Sequence, residues 1–218
     1  MFDSATVASI TTTRNLGAAS NLLTFSGTNT ARSVTATGTT ILTSGMATTI
    51  DMSAGPGGGA VTFHGNLSLG GTLTVDTDAT TDGAVTFQKL VTGSSTLTVT
   101  AGTGGNVTFN NLVSLGGTAG LAVTGNNLTL RQTVVGTGAT ALTAANNVTL
   151  AGTLSTGGTI DINANQDGVG AEGFTQSTGD INTSNATGTA VDIRVNTAAG
   201  GTGSATLRNV VTGAGGTV

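Results

Sequence analysis

The sequence predicts an all-β fold, a right-handed parallel β-helix (β-solenoid) of about ten rungs, each with roughly 20–24 residues and three short strands. Three observations lead to this prediction. The chain contains 48 Thr and 36 Gly among 218 residues. Short apolar segments recur along it at nearly constant spacing. Within those segments apolar and polar residues alternate, which is the period of a strand with one buried face.

The composition indicates a regular repeat rather than an ordinary globular domain. Charged residues make up 7% of the chain and aromatic residues 3%, whereas a typical domain has about 25% charged residues. Hydrophobic residues still reach 37% and are spaced regularly, which supplies the burial that disordered chains lack. Thr and Val favour strands, whereas Gly, Asn and Asp favour turns. Short strands joined by tight turns account for this composition.

The clearest repeat is a five-residue segment that ends in Val-Thr-Phe. It occurs at 59–63, 83–87 and 105–109, and continues at 126–130 and 146–150 with Leu in place of Phe. The first inward apolar residues of these segments are 24, 22, 21 and 20 residues apart. Two further apolar patches recur within each repeat, so each repeat contains three short strands. Such strands bury a core only when successive repeats stack.

Stacking predicts columns of equivalent side chains, because the period of two directs the first and third residues of Val-Thr-Phe inward and Thr outward. The first inward column contains Val61, Val85, Val107, Leu128 and Val148. The second inward column contains Phe63, Phe87, Phe109, Leu130 and Leu150. The outward column contains Thr62, Thr86, Thr108, Thr129 and Thr149. A corner column contains Asn106, Asn127 and Asn147, whose side-chain amides can hydrogen-bond in a ladder.

These patterns predict one solenoid domain over residues 1–218. Residues 1–58 repeat loosely and predict irregular N-terminal rungs, whereas residues 59–162 predict the regular rungs. The spacing changes again in residues 163–218, where we expect further rungs with a longer loop at 163–173. No apolar run approaches the roughly 18 residues of a membrane span, so we expect no membrane insertion.

Charge and residue usage argue against several function classes. A net charge of −4 with six Lys and Arg residues provides no basic stripe for phosphates, so we expect no nucleic-acid partner. The absence of Cys and the single histidine, His64, leave no zinc site or catalytic triad. Outward positions of the regular rungs are mainly Thr, Ala, Asn and Ser, without the acidic and basic clusters of polysaccharide-cleaving β-helices. We therefore expect no catalysis.

One segment has the spacing of half a calcium loop, and no other cofactor is expected. Its oxygen-bearing residues are Asp161, Asn163, Asn165 and Asp167. Gly168 follows them, as in such loops, but Phe174 stands at the position of the expected acidic ligand. The alternative is an ordinary turn rich in Asn, Asp and Gly. A second acidic turn, at residues 76–82, lacks the glycine spacing.

The segment from Val61 to Ile162 contains Gly-Gly-Thr-Leu turns and Asn-Val-Thr-Leu strands. In these motifs it resembles filamentous-haemagglutinin-like adhesins and giant bacterial β-strand-repeat surface proteins. The resemblance implies export to the cell surface or the extracellular space and a role as a passenger or shaft segment.

Two functional hypotheses remain open. In the first, the chain is a structural shaft that continues a longer solenoid or stacks end to end with copies of itself, because uncapped strand edges can pair with further strands. In the second, it is an adhesin whose side binds a surface or a glycan. Less favoured alternatives are an ice-binding protein, suggested by the outward Thr column, and a polysaccharide-active β-helix enzyme.

Overall fold

The computed structural model describes residues 47–52, 59–78, 81–196 and 201–218 in full. Of residues 1–46 it describes only the backbone of six strands. The remaining parts of the predicted N-terminal rungs, and the glycine-rich residues 53–58, lie outside the described residues.

The described chain is all-β, and no helix occurs in the part that the structure describes. The strands of the first sheet are β1 Phe2–Asp3, β2 Thr6–Val7, β4 Phe25–Ala31, β7 Thr48–Asp51, β10 Leu73–Asp76, β13 Leu97–Thr100, β16 Leu121–Gly125, β19 Thr140–Ala144, β22 Ile160–Ala164 and β25 Val191–Val195. The strands of the second sheet are β3 Ile10–Thr12, β5 Ser33–Ala36, β8 Ala60–Phe63, β11 Val85–Phe87, β14 Val107–Phe109, β17 Leu128–Leu130, β20 Val148–Leu150, β23 Phe174–Gln176 and β26 Ala205–Thr206. The strands of the third sheet are β6 Thr40–Leu42, β9 Asn66–Leu69, β12 Val91–Gly93, β15 Val113–Leu115, β18 Val134–Gly136, β21 Leu154–Thr156, β24 Asp180–Thr183 and β27 Asn209–Val211.

The chain visits the three sheets in turn, and one passage through all three forms a rung, for example β10, β11 and β12. Each strand pairs in parallel with the equivalent strand of the rungs before and after it. The predicted parallel β-solenoid with three strands per rung is therefore confirmed. The right-handed sense of the coil and the subdivision at residues 58 and 162 remain predictions.

The predicted count of about ten rungs is not supported. Among the described residues, the second sheet has nine strands and the third has eight. The first sheet has ten strands, but β1 and β2 both pair with β4 and so share one level. The N-terminal residues repeat too loosely for their spacing to reveal that two short strands share one level.

The core lies between the three sheets and follows the alternation in the sequence. In the strands of the regular rungs, buried residues alternate with half-buried or exposed ones. The inward apolar side chains form one continuous buried cluster from Ile50 to Val191. Burying a Val, Leu or Phe side chain contributes about 1.5–3 kcal/mol, so every rung adds several such contributions to the core.

Glycines lie where neighbouring rungs leave no room for a side chain. A Cβ added to Gly105 would lie 2.3 Å from the carbonyl oxygen of Ala101 and 2.5 Å from that of Gly83. By contrast, a Cβ at Gly116 would have its nearest neighbour at 3.9 Å, the carbonyl oxygen of Gly93. Close stacking of the rungs therefore selects glycine at Gly105 but not at Gly116.

Candidate functional surface

The register of the second sheet places the predicted columns at successive rungs. Val85 pairs with Val61 on one side and with Val107 on the other, and the column continues through Leu128 to Val148. Each of these five side chains is at most 1% exposed. The second inward column, Phe63, Phe87, Phe109, Leu130 and Leu150, follows the same register and is equally buried.

Three phenylalanines of the second column form a stack along the axis. The ring centroids of Phe63 and Phe87 are 5.0 Å apart with planes inclined by 8°. Those of Phe87 and Phe109 are 4.5 Å apart and inclined by 4°. These separations are close to the spacing of about 4.7–4.9 Å between paired strands, so identical side chains in equivalent positions stack without leaving their rungs.

The corner asparagines form a hydrogen-bonded ladder. The amide Nδ2 of Asn127 donates to Oδ1 of Asn106 at 3.0 Å, and Nδ2 of Asn147 donates to Oδ1 of Asn127 at 3.0 Å. Backbone N–H groups add to it, since the N–H of Gly173 donates to Oδ1 of Asn147 at 3.0 Å. The ladder therefore links four successive rungs at the corner between the first and second sheets.

The two inward columns change residue type at β23, where the core departs from the repeat pattern. Phe174 pairs with Val148 and takes the first inward column, and Gln176 pairs with Leu150 in the second. Gln176 is only 1% exposed, and its amide Nε2 donates to the carbonyl oxygen of Gly179 at 2.8 Å. Its Oε1 accepts the N–H of Arg208 at 2.9 Å. A buried glutamine thus replaces the apolar column, with its hydrogen bonds satisfied.

The outward threonines form a column across the whole second sheet. Strand pairing aligns Thr62, Thr86, Thr108, Thr129, Thr149, Thr175 and Thr206. The backbone register extends this column to Thr11 and Thr35. The outer surface of the second sheet is called the threonine face below. The heterogeneous neighbouring column starts at His64, which is exposed, and it contains a hydrogen bond from Asn110 Nδ2 to Gln88 Oε1 at 3.0 Å.

The four calcium candidates lie in two different local structures. Asp161 and Asn163 belong to β22, where Nδ2 of Asn163 donates to Oδ1 of Asp161 at 2.8 Å. Asn165 is fully buried, with a positive φ of 52°, and the connection to β23 begins there. With its amide nitrogen facing Asp167, it donates to Oδ1 at 3.1 Å, and the N–H of Val169 donates to that same oxygen. The structure thus brings the candidates together as two hydrogen-bonded pairs, and calcium binding remains a prediction.

The second acidic turn is held by hydrogen bonds from the backbone. The N–H of Asp78 donates to Oδ1 of Asp76 at 3.1 Å, and the N–H of Gly104 donates to Oδ2 of Asp82 at 2.6 Å. Burial raises the pKa of the Asp76 carboxyl, and the nearby carboxylates of Asp51 and Asp78 raise it further, while the hydrogen bond from Asp78 opposes the shift. Asp51 pairs directly with Asp76 across the sheet.

Within the described residues, no group of three or more His, Cys, Asp or Glu side chains is placed to hold a metal ion. The same part of the chain contains no helix of the length and apolar character needed to cross a membrane. The chain matches no protein-family model, no curated protein and no solved structure.

Proposed function

We propose that the chain is a non-catalytic structural shaft of the extracellular or cell-surface adhesin type, which extends by adding rungs at the end of its solenoid. The resemblance in turn and strand motifs supports the surface location. The surface of the regular rungs consists mainly of Thr, Ala, Asn and Ser, which supports a structural role because binding hot spots draw on Trp, Tyr and Arg. The sequence contains no Trp or Tyr.

The observation that carries this proposal is the strand edge at the last described rung, which can pair with a further rung. In six successive rungs, the N–H of the first inward residue of the second sheet donates to a carbonyl of the next rung. The series runs from Val61, which donates to Ala84, to Phe174, which donates to Ser204 at 3.0 Å. The equivalent N–H in β26 belongs to Ala205. Among the described strands, β26 is the last of its sheet, so this N–H points to where a further rung would lie.

The core is open at the same end. Leu207 follows Thr206 as Gln176 follows Thr175, so it continues an inward column, yet it is 47% exposed. Residues of the inward columns in the regular rungs are at most a few per cent exposed. A further rung, from a continuation of the same polypeptide or from the first strands of a second copy, would cover this apolar surface and pair with this edge. Such a head-to-tail contact repeats without closing and generates a filament.

Negative-stain electron microscopy of the purified chain tests this proposal. We expect filaments that grow with protein concentration. Ala205→Pro removes the edge N–H without removing a hydrogen bond to the rung below, and edge strands tolerate proline. It should therefore abolish filaments while leaving the far-UV circular dichroism unchanged, whereas Ala205→Val should not. Wild-type protein that remains as single short particles in concentrated solution would overturn the proposal.

A further inference from the structure

The threonine face is bordered by opposite charges on its two edges. Two of the connections through which the chain enters the second sheet from the first carry an exposed acidic residue, Asp78 before β11 and Asp167 before β23. Half-buried Asp82 and Glu172 lie in the same two connections. The chain leaves the second sheet past four exposed cationic or titratable residues, His64, Lys89, Arg131 and Arg208. The face therefore has acidic residues at two places along one edge, neutral threonines along its centre and basic residues along the other edge.

Acidic and basic residues lie at the same or neighbouring heights along the axis at two places. Asp78 and Lys89 belong to the rung of β10, β11 and β12, before and after the same strand. Asp167 precedes β23, and Arg208 follows β26 in the next rung, about 4.8 Å further along the axis. Between these two levels, residues 83–160 contain no acidic residue. The acidic residues beside the face thus lie near two levels of the shaft, each with a basic residue in the same or the next rung, whereas Arg131 lies between these levels.

This pattern selects one way of pairing two such faces. A two-fold axis parallel to the solenoid axis keeps every rung at its own height and exchanges the two edges. The acidic edge of one copy then lies opposite the basic edge of the other, with Asp78 facing Lys89 at the same level. A two-fold axis along the strands would instead place acidic edge against acidic edge. Charge complementarity sets orientation and excludes wrong arrangements more than it adds affinity.

The area of the face and the size of its side chains suit such a contact. Nine strands about 4.8 Å apart give a height of roughly 38 Å, and about six residues of strand and flank give a width near 20 Å. The resulting area of roughly 750 Å² is close to the 800 Å² or so that each partner contributes to a typical specific interface. The residues beside the threonines on the first-sheet side are Ala60, Ala84, Asn106, Asn127, Asn147 and Gly173. These small side chains allow close approach.

We propose that the threonine face binds the threonine face of a second copy of this chain, in a parallel side-by-side dimer whose two-fold axis runs along the shaft. The contact is isologous and lies on the side of the solenoid, so it is independent of growth at the ends. Fibres joined in this way would be paired shafts that run in the same direction.

Sedimentation equilibrium of the Ala205→Pro variant, in which growth at the end is blocked, tests the contact itself. We expect a monomer–dimer equilibrium that weakens between 0.05 and 0.5 M NaCl, because the edge charges are exposed and screened at about those ionic strengths. Thr108→Glu places two carboxylates opposite each other across the axis and should raise the dimer Kd at least about tenfold. Ser114→Glu adds the same charge to the third sheet of the same rung and should leave the Kd within about twofold.

A charge exchange tests the orientation. Lys89→Glu should weaken the dimer, and the double variant Lys89→Glu with Asp78→Lys should restore it, since the pair is then re-formed with reversed signs. Lack of any rescue would overturn the parallel arrangement. A strictly monomeric protein at low salt and high concentration would overturn the dimer.

Disulfide cross-linking gives a second test, which uses the wild-type strand end. The chain has no cysteine, so an introduced cysteine is its only thiol. Thr62 lies towards one end of the column, so Thr62→Cys meets its own equivalent only when the shafts run parallel. Oxidation should then give a disulfide-linked dimer, whereas Ser68→Cys in the third sheet of the same rung should remain monomeric. Equal cross-linking of both variants, or none from Thr62→Cys, would contradict the proposal.

Discussion

Replacing Phe87 tests how much the stacked column contributes to stability. Phe87 is 1% exposed and contacts aromatic rings on both sides, with centroid distances of 5.0 and 4.5 Å. Phe87→Ala should cost about 3–5 kcal/mol, as is usual for a large core side chain removed without collapse of its site. Phe87→Leu retains most of the volume and should cost about 1–2 kcal/mol, because two stacked pairs of about 0.5–1.5 kcal/mol each are replaced by aliphatic contacts.

The leucine variant has a precedent in the protein itself. Leu130 occupies the same column and pairs with Phe109 of the preceding rung. Urea denaturation followed by far-UV circular dichroism suits this chain, since it has neither Trp nor Tyr. The midpoints should be compared at constant m-value. If Phe87→Ala lowered the free energy of unfolding by less than about 1 kcal/mol, or if leucine cost as much as alanine, the reasoning from stacking and burial would be refuted.

Three further predictions concern the ladder, the acidic turn and the close-packed glycines. Asn127→Ala removes one donor and one acceptor from the ladder and should lower the free energy of unfolding by about 1–2 kcal/mol in the same urea assay. Asp76→Asn keeps an oxygen that accepts the N–H of Asp78, and it should raise Tm at pH 7 but not at pH 3. Gly105→Ala should destabilise by about 1–3 kcal/mol because backbone oxygens occupy the space of the new Cβ, whereas Gly116→Ala should stay within about 0.5 kcal/mol.

The sign of the Asp76 prediction follows from linkage. Because the pKa of this carboxyl is raised in the folded state, the folded protein holds the proton more tightly than the unfolded chain does. The stabilisation by the bound proton is therefore present below the unfolded pKa and is lost as the pH rises through the folded pKa. A lower Tm for Asp76→Asn at pH 7 would contradict this reasoning. An Asn127→Ala variant with an unchanged free energy of unfolding would contradict a stabilising role of the ladder. Equal effects of the two glycine variants would contradict the packing argument.

The sequence predicts the regular part of the fold well because stacking makes every rung repeat the same contacts. The spacing of Val61, Val85 and Val107 is sufficient to place them in one column, since the period of two leaves only one inward face. The number of rungs could not be read in the same way. Where spacing is loose, an apolar patch alone does not reveal whether it starts a new level or shares one, as β1 and β2 do.

The change at Phe174 was missed because the connection at residues 165–173 breaks the count from the preceding repeat. The signal that could have found it is Thr175. Keeping this threonine in the outward column places Phe174 in the first inward column and Gln176 in the second. A buried Gln176 is unexpected from composition, and only the carbonyl of Gly179 and the N–H of Arg208 explain why it is tolerated there.

The calcium candidates show a different ambiguity. Oxygen-bearing side chains at alternate positions describe a half calcium loop, but they also describe one face of a β-strand. Asp161 and Asn163 lie on the outward side of β22 for this second reason. The charge pattern beside the threonine face could not be predicted from the sequence either. Asp78 and Lys89 are eleven positions apart in the chain, and only the fold shows that they flank the same strand, β11.

X-ray diffraction from aligned filaments of the wild-type chain tests the central claim most directly. Rungs stacked along the shaft, with strands running across it, predict a strong meridional reflection at about 4.7–4.9 Å. The Ala205→Pro variant, which should form no filaments, should give no oriented pattern. A reflection at that spacing on the equator, or a wild-type preparation that never forms filaments, would contradict a solenoid shaft that grows at its end.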